Sequence, residues 1–356
     1  MIKKRIENIQ SKLPEKTALL ISDDANRFYF TGFHSSAGSV LITPEIATFF
    51  IDFRYFEKAK STVTDCEVIL AEQTLKQIKS TLEKHNITTL LIETECATVG
   101  RLNSLKKAMP DISISTDNCA DKWISSLRAV KSSEELALIK QAQQLTDRTF
   151  DYILNNIKTG RTEREIALDM EFFMRKAGSE GVSFDFIAVS GKNSSLPHGV
   201  PTDKPLENGD FLTMDFGAVV YGYRSDMTRT VAIGSVTDEQ KAVYDTVLSA
   251  QLCAIENIKS GKKCSEIDKI ARDIIYNAGY KGCFGHGLGH SVGIEIHESP
   301  SLSPSCDELL KSGVVMTVEP GIYLENKFGV RIEDMVFVTD NGCENITKSR
   351  KDLIIL

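Results

Sequence analysis

Long apolar runs are absent from this sequence. Across 356 residues no window approaches the ~18 uninterrupted apolar residues of a membrane span, so no membrane-crossing helix is expected. Dense positive charge is absent as well. No Lys/Arg run exceeds three residues, and 42 Lys and Arg against 49 Asp and Glu leave a net charge of −7, the wrong sign for a nucleic-acid binder. The eight cysteines (66, 96, 119, 253, 264, 283, 306 and 343) form no C-x-x-C pair. Neither a disulfide framework nor a zinc knuckle is indicated, and reduced thiols in a cytoplasm are the expectation. At the start, Lys3, Lys4 and Arg5 lead into Glu7, Asn8 and Gln10 rather than an apolar stretch, which reads as a surface helix and not a signal peptide. An H-E-x-x-H zinc helix and a Walker A loop are also missing.

What remains has ordinary globular composition, with 42 % apolar and 26 % charged residues. At ~150 residues per domain the length predicts about two domains. The first third alternates β-rich runs (Thr17 to Ile21, Ser39 to Ile42, Ala47 to Ile51, Thr88 to Ile92, Ile112 to Ser115) with helical patterns such as Leu75 to His85. This predicts an α/β N-terminal domain over residues 1–122. The pattern breaks into polar residues from Thr116 to Lys122. Beyond it, Ser132-Ser133-Glu134-Glu135 offers a capping box, and Leu138, Ala142, Leu145, Thr149 and Tyr152 fall on one helical stripe. Residues 123–356 are therefore assigned to a second domain.

That second domain repeats itself. Gly160 to Gly178 (GRTEREIALDMEFFMRKAG) and Gly261 to Gly279 (GKKCSEIDKIARDIIYNAG) share terminal glycines, Glu-Ile at one offset and Ala before the closing Gly. Each reads as one helix ended by a glycine. Downstream, Gly209 to Gly217 (GDFLTMDFG) matches Gly313 to Gly321 (GVVMTVEPG), and Arg224-Ser225-Asp226-Met227 resembles Arg331-Ile332-Glu333-Asp334-Met335. Two copies of an α-plus-hairpin unit facing one another would bury their sheets under outer helices, and their acidic residues would converge.

Those acidic residues carry the chemistry. Asp215, in Asp-x-Gly, could mark a turn, and Asp226 could pair with Arg224 or Arg229 on a solvated face. Glu319 and Glu333 sit in otherwise apolar strands, where a carboxylate is costly unless it is paired or holds a metal. Arg331 and Arg224 are possible partners, but two divalent cations neutralise four converging carboxylates more completely. Between the copies lies Phe284-Gly285-His286-Gly287-Leu288-Gly289-His290, whose spacing fits no nucleotide fingerprint. His290 is the best fifth ligand, since imidazole joins carboxylates readily at such ions. His198 and His297 lie about one repeat apart beside the acidic hairpins, which points to substrate or transition-state contact. His85 is assigned to solvent and His34 to no role.

In these residues the sequence resembles the metallopeptidase family that includes methionine aminopeptidase, prolidase and aminopeptidase P, with the pita-bread fold. The resemblance spans the chain and implies an α/β creatinase/prolidase-like N-terminal domain before an α+β pita-bread catalytic domain with an internal pseudo-two-fold repeat. By motif match Asp215, Asp226, His290, Glu319 and Glu333 stand where the family places its five metal ligands. His198 and His297 match its substrate-contacting histidines, and Arg331 and Tyr323 match the support around the first aspartate. The resemblance implies two divalent ions, preferably Mn2+ with Co2+, Fe2+ or Zn2+ as substitutes, and a hydroxide between them that attacks the bond before proline. Glu319 would shuttle the proton. Phe30 to Gly38 and Ile51 to Tyr55 look more like aminopeptidase P, so an Xaa-Pro aminopeptidase acting on proline-containing peptides is the expectation, with an Xaa-Pro dipeptidase (prolidase) as the alternative and a non-catalytic binding module as a third reading. A cytoplasmic homodimer is implied.

Overall fold

Five consecutive sheet-forming residues, Thr17–Ile21, are all buried and form β1 at the centre of the first sheet. A computed structural model describes all 356 residues, in two compact units, Met1–Leu127 and Arg128–Leu356. In the first unit α1 (Ile2–Gln10) precedes β1, and α2 (Asp24–Thr31), β2 (Ser39–Ile42), β3 (Ala47–Ile51), α3 (Phe53–Thr62), β4 (Glu67–Leu70), α4 (Thr74–Lys84), β5 (Thr89–Ile92), α5 (Val99–Ala108) and β6 (Ser113–Ser115) follow. The strands form one sheet in the order β4-β3-β2-β1-β5-β6. β2 runs antiparallel to β1 and β3, while β5 pairs with β1 in parallel. The expected surface helix at the start is half a core element, since Arg5, Ile6 and Ile9 are buried. The polar stretch Thr116–Lys122 is not a plain linker either. From Cys119 it is helical, and that helix, α6 (Cys119–Ala129), runs on past the end of the first unit. No helix is long and apolar enough to cross a membrane, and all eight cysteines are free.

The second unit opens with α7 (Ser133–Leu154). Ser132 caps it by accepting from Glu135 N, and the Glu135 side chain returns to the Ser132 backbone. Then come α8 (Glu163–Lys176), β7 (Ile187–Ser190), β8 (Phe211–Phe216), the short β9 (Val219–Val220) and β10 (Tyr223–Arg224), and β11 (Met227–Ala232). The second copy contains α9 (Asp238–Asn257), α10 (Cys264–Asn277), β12 (Gly289–Ser291), β13 (Glu298–Leu302), β14 (Val315–Val318), β15 (Gly321–Leu324), β16 (Phe328–Arg331), β17 (Asp334–Val338) and β18 (Cys343–Asn345). The helices α8 and α10 are 14 residues each and end in the same way, on Gly178 and Gly279 with φ of 112° and 96°. Those left-handed positions cost a glycine nothing and stop the helix.

Strand order repeats with the helices. One sheet reads β11-β8-β7 and the other β13-β12-β14-β17-β18, so β8 with β11 in the first copy answers β14 with β17 in the second. In the first copy α7 and α8 supply Phe150, Ile166 and Met170 to a core with Leu212, Met214 and Val231. In the second, α9 and α10 supply Val247, Ile267 and Ala271 to a core with Met316 and Val336.

A buried ionic cluster fixes the loop before β13. Glu298 takes Lys131 Nζ at 3.0 Å on one oxygen and Arg128 Nη2 at 2.5 Å on the other. The second oxygen also accepts from the backbone N–H groups of Ile294 and Glu295. Burial works to raise the Glu298 carboxyl, but Lys131 and Arg128 outweigh it and hold it down to about 2. A depressed carboxyl adds stability that is present above the unfolded-state value of 4.5 and is lost as pH falls from there toward about 2. Glu298→Gln leaves two buried cations short of a partner and should cost about 3–5 kcal/mol at neutral pH. Urea unfolding at pH 7 and pH 3 checks this, since the gap between variant and wild type should narrow at the lower pH.

Candidate metal centre

Each carboxylate foreseen in the sequence stands at a strand end, where the ladder stops and the side chain is free to face inward. Asp215 is the penultimate residue of β8, opposite Thr228 of β11. Asp226 immediately precedes β11, Glu319 immediately follows β14, and Glu333 immediately precedes β17. Carboxylate oxygens of Asp215, Asp226 and Glu333 lie within 4.8 Å of one another. His290, on β12, brings Nε2 to 3.3 Å from Glu319 Oε1 and 3.6 Å from Asp226 Oδ2. The five residues thus meet at one point, drawn from both copies of the repeat.

Their electrostatics are those of a site built around positive charge. Burial first, then repulsion by Glu333 and Asp215, pushes the Asp226 carboxyl well above its usual range. Burial with Glu319 and Asp215 does the same to Glu333. Asp215 is raised by burial in spite of Arg331. Glu319 goes the other way: burial opposes its charge, but His290 and Arg331 hold it down to about 2. Two buried oxygens, Asp215 Oδ1 and Glu333 Oε1, have no hydrogen-bond partner, although buried polar atoms almost always find one. An oxygen-rich set with one imidazole suits divalent Mn, Fe, Co or Zn, and the unpartnered oxygens are where such an ion fits.

The remaining oxygens are held in place. Arg331 Nη2 donates to Asp215 Oδ2 at 2.6 Å, and Thr228 Oγ1 donates to Glu333 Oε2 at 2.8 Å. Arg331 Nη1 also donates to the Tyr323 hydroxyl at 2.8 Å, and that hydroxyl lies 3.0 Å from His286 Nε2. His286 Nδ1 faces the Gly287 carbonyl at 2.8 Å, so it carries the proton and Nε2 accepts from Tyr323. Burial lowers the His286 pKa, which keeps this neutral form. His290 Nδ1 donates to the Ser291 carbonyl at 3.2 Å, while Glu319 favours a second proton on Nε2 despite burial; an ion at the site would take the place of that proton. His286 is the functional position that the sequence reading leaves without a role. Its signal was present, since it lies four residues before His290 in the glycine-rich segment.

A cavity of about 710 Å³ opens on the cluster. His198 and His297 both line it, and the His297 ring meets His290 edge-on with centroids 4.5 Å apart. Phe184, Phe186, Ile296 and Pro197 supply apolar wall. Gly289 lets β12 close on β14, because a Cβ there would collide with the Thr317 carbonyl. The segment Gly289-His290-Ser291-Val292-Gly293 spells G-x-S-x-G, the letters of a serine nucleophile elbow. Its setting is wrong for that chemistry. Ser291 is fully buried in a strand and accepts from Lys131 Nζ at 3.0 Å.

Another cavity, of about 600 Å³, lies within the first unit at the ends of β1 and β5. Its carboxylates are already engaged, Asp24 by Arg27, Asp52 by Arg54 and Glu93 by the backbone N–H groups of Ser22 and Asp23. The unsatisfied acidic oxygens are at the other site.

Comparison with known proteins agrees with this geometry. Residues 137–340 match the model of metallopeptidase family M24, and residues 5–130 match the creatinase/prolidase N-terminal domain. An Xaa-Pro dipeptidase of Pyrococcus horikoshii is 38 % identical, over 95 % of this chain and 94 % of its own length. The structure of an Xaa-Pro dipeptidase from Bacillus anthracis superposes with a TM-score of 0.96 at 40 % identity, covering 100 % of both chains. That of an X-Pro aminopeptidase from Thermotoga maritima gives 0.91 at 38 % identity, covering 98 % of this chain and 100 % of that one. With duplicated hairpins, a cluster of acidic strand ends and matches along nearly its whole length, this chain belongs to metallopeptidase family M24, with a pita-bread catalytic domain behind a creatinase-type N-terminal domain.

Proposed function

We propose that the chain is an Xaa-Pro dipeptidase that depends on divalent cations held by Asp215, Asp226, His290, Glu319 and Glu333. The observation that carries this reading is the convergence of three carboxylates with a His290–Glu319 pair around two buried oxygens that lack partners. The dipeptide substrate rests on the relatives. The Pyrococcus horikoshii and Pyrococcus furiosus proteins, 38 % and 35 % identical, are both Xaa-Pro dipeptidases, so the expectation of an aminopeptidase gives way to its alternative. The Thermotoga maritima aminopeptidase favours the second reading, which differs only in admitting chain beyond the proline.

Cations held there would supply Lewis acidity, acidifying the attacking water and polarising the carbonyl before proline. Four carboxylates balance the charge of two such ions, and Mn2+ suits the oxygen-rich set, with Co2+, Fe2+ or Zn2+ as substitutes. The chain's own groups do the rest. Arg331 and Thr228 each hold one oxygen of a carboxylate and leave the other free for an ion. Glu319 takes the proton shed by the attacking water and delivers it to the proline nitrogen as the C–N bond breaks. His198 and His297 face the cavity where the carbonyl oxygen gains charge, and they stabilise it by donating hydrogen bonds. Phe184, Phe186 and Ile296 receive the apolar groups of the substrate and exclude water. A dedicated pocket is needed because the bond before proline is a tertiary amide without N–H, which extended-strand peptidases cannot grip.

Two experiments test this. Mn2+-loaded protein should release proline from Ala-Pro and leave Ala-Pro-Ala-Ala intact; cleavage of the tetrapeptide after alanine would establish the aminopeptidase instead. Asp226→Ala should lower both metal content and turnover by about 100-fold or more, with far-UV circular dichroism unchanged. Full activity in a metal-depleted preparation would refute the reading.

A further inference from the structure

Behind the carboxylates lies a guanidinium that the reaction does not touch. Arg229, on β11, is 1 % exposed and among the largest fully buried side chains in the molecule. All five of its N–H donors are used. Nε donates to the Arg350 carbonyl at 3.0 Å, Nη1 to the carbonyls of Thr228 at 2.9 Å and Glu333 at 2.5 Å, and Nη2 to Asp334 Oδ1 at 2.7 Å and the Ser349 carbonyl at 2.8 Å. Asp334 is held in turn on its other oxygen by Lys351 Nζ at 2.5 Å and Asn345 Nδ2 at 2.7 Å. A planar fork with every proton placed admits one geometry, and burial keeps water from substituting for any of its partners.

The two carbonyls on Nη1 give this fork its meaning. Thr228 and Glu333 are also joined on the cavity side, where Thr228 Oγ1 donates to Glu333 Oε2, and in the backbone, where Glu333 N donates to the Thr228 carbonyl at 3.1 Å. Adjacent residues of a strand face opposite ways, so β11 sends Thr228 toward the cavity and Arg229 to the rear. Glu333 lies between β16 and β17, outside any strand ladder. Its backbone N–H and C=O are both fixed by the pair Thr228 and Arg229. Asp226 lies two residues before Thr228 on the same stretch. The fork therefore determines how far the carboxylate of one hairpin stands from that of the other.

We infer that Arg229 is a positioning residue of the cation centre: it fixes Glu333 against Asp226, and the segment Ser349–Lys351 belongs to the same clamp. The inference rests on the cation-centre reading above and adds to it a group that meets neither ion nor substrate. Lysine cannot replace this arginine. Its three protons share one nitrogen and cannot reach acceptors spread around a guanidinium.

The test uses the full chain, metal-free, with Co2+ alone as probe. Arg229→Lys should keep its far-UV circular dichroism and a cooperative melt. It should nevertheless bind Co2+ about tenfold or more weakly by calorimetry, the range seen when a ligand's support is removed, and shift the Co2+ visible spectrum. KM for the dipeptide at saturating metal should stay within about twofold, because no substrate contact changes. A lower melting temperature with unchanged Co2+ affinity and spectrum would assign Arg229 to stability alone and overturn the inference. If Arg229→Lys does not fold, Lys351→Met decides, since it removes one of the two cations on Asp334, the carboxylate that seats Nη2 of the fork. Weaker Co2+ binding in that variant supports the clamp, and unchanged binding overturns it. A wild-type chain that takes up no Co2+ would sink the cation-centre reading itself, whereas equal uptake by wild type and variants sinks only the inference.

Discussion

Four carboxylates cannot be packed against one another in a protein interior without something positive among them, and the architecture of the second unit follows from that requirement. Burial and mutual repulsion raise Asp226 and Glu333, while Arg331, His290 and the Thr228 hydroxyl oppose the accumulation. The duplicated hairpins are a way to create this conflict deliberately. Each copy places its acidic residues where a strand ladder ends, so the cost falls on side chains and leaves the β8–β11 and β14–β17 ladders intact. Helices on each copy bury the apolar faces beneath, which gives the strained ends a rigid mount.

Around the carboxylates the chain has built a shell of hydrogen bonds that leaves few polar atoms free to turn. The line from His286 through Tyr323 and Arg331 to Asp215 fixes a tautomer, a hydroxyl and a guanidinium in sequence. The Arg229 fork does the same from the rear. Such supports matter because a site displaced by an ångström holds its ions and substrate less well. The loop between β12 and β13, which carries His297, has its own anchor in Glu298 and its two cations.

Much of this was legible in the residues alone. β1, β2 and β3 begin and end where short β-rich runs place them, and α7 starts at the Ser132 capping box. The repeat exposed the site, because the same order of glycines and acidic residues, with matching spacing inside each helix and first-strand segment, is improbable in two places unless both fold alike. What was not legible has physical reasons. The helix α2 contains Arg-Phe-Tyr-Phe, an aromatic run without helical periodicity, and its local signals are the caps at Asp23 and Gly32. The helix α6 begins among polar residues because its first turn needs few apolar contacts. His286 and Arg229 act through partners more than 30 and 100 residues away in sequence, a distance over which periodicity carries no information. The choice between dipeptide and longer peptide depends on cavity shape beyond the proline, and no motif spells that out.

The proposed ligand set is divided between the copies, Asp215 and Asp226 from one and His290, Glu319 and Glu333 from the other. An ion bound there would add a crosslink between two copies that already meet along β8, β11 and β16 and through the Phe211–Phe328 ring contact. Loosening either half dissolves the crosslink, so a chelator and a denaturant pull on the same equilibrium, and each makes the other more effective.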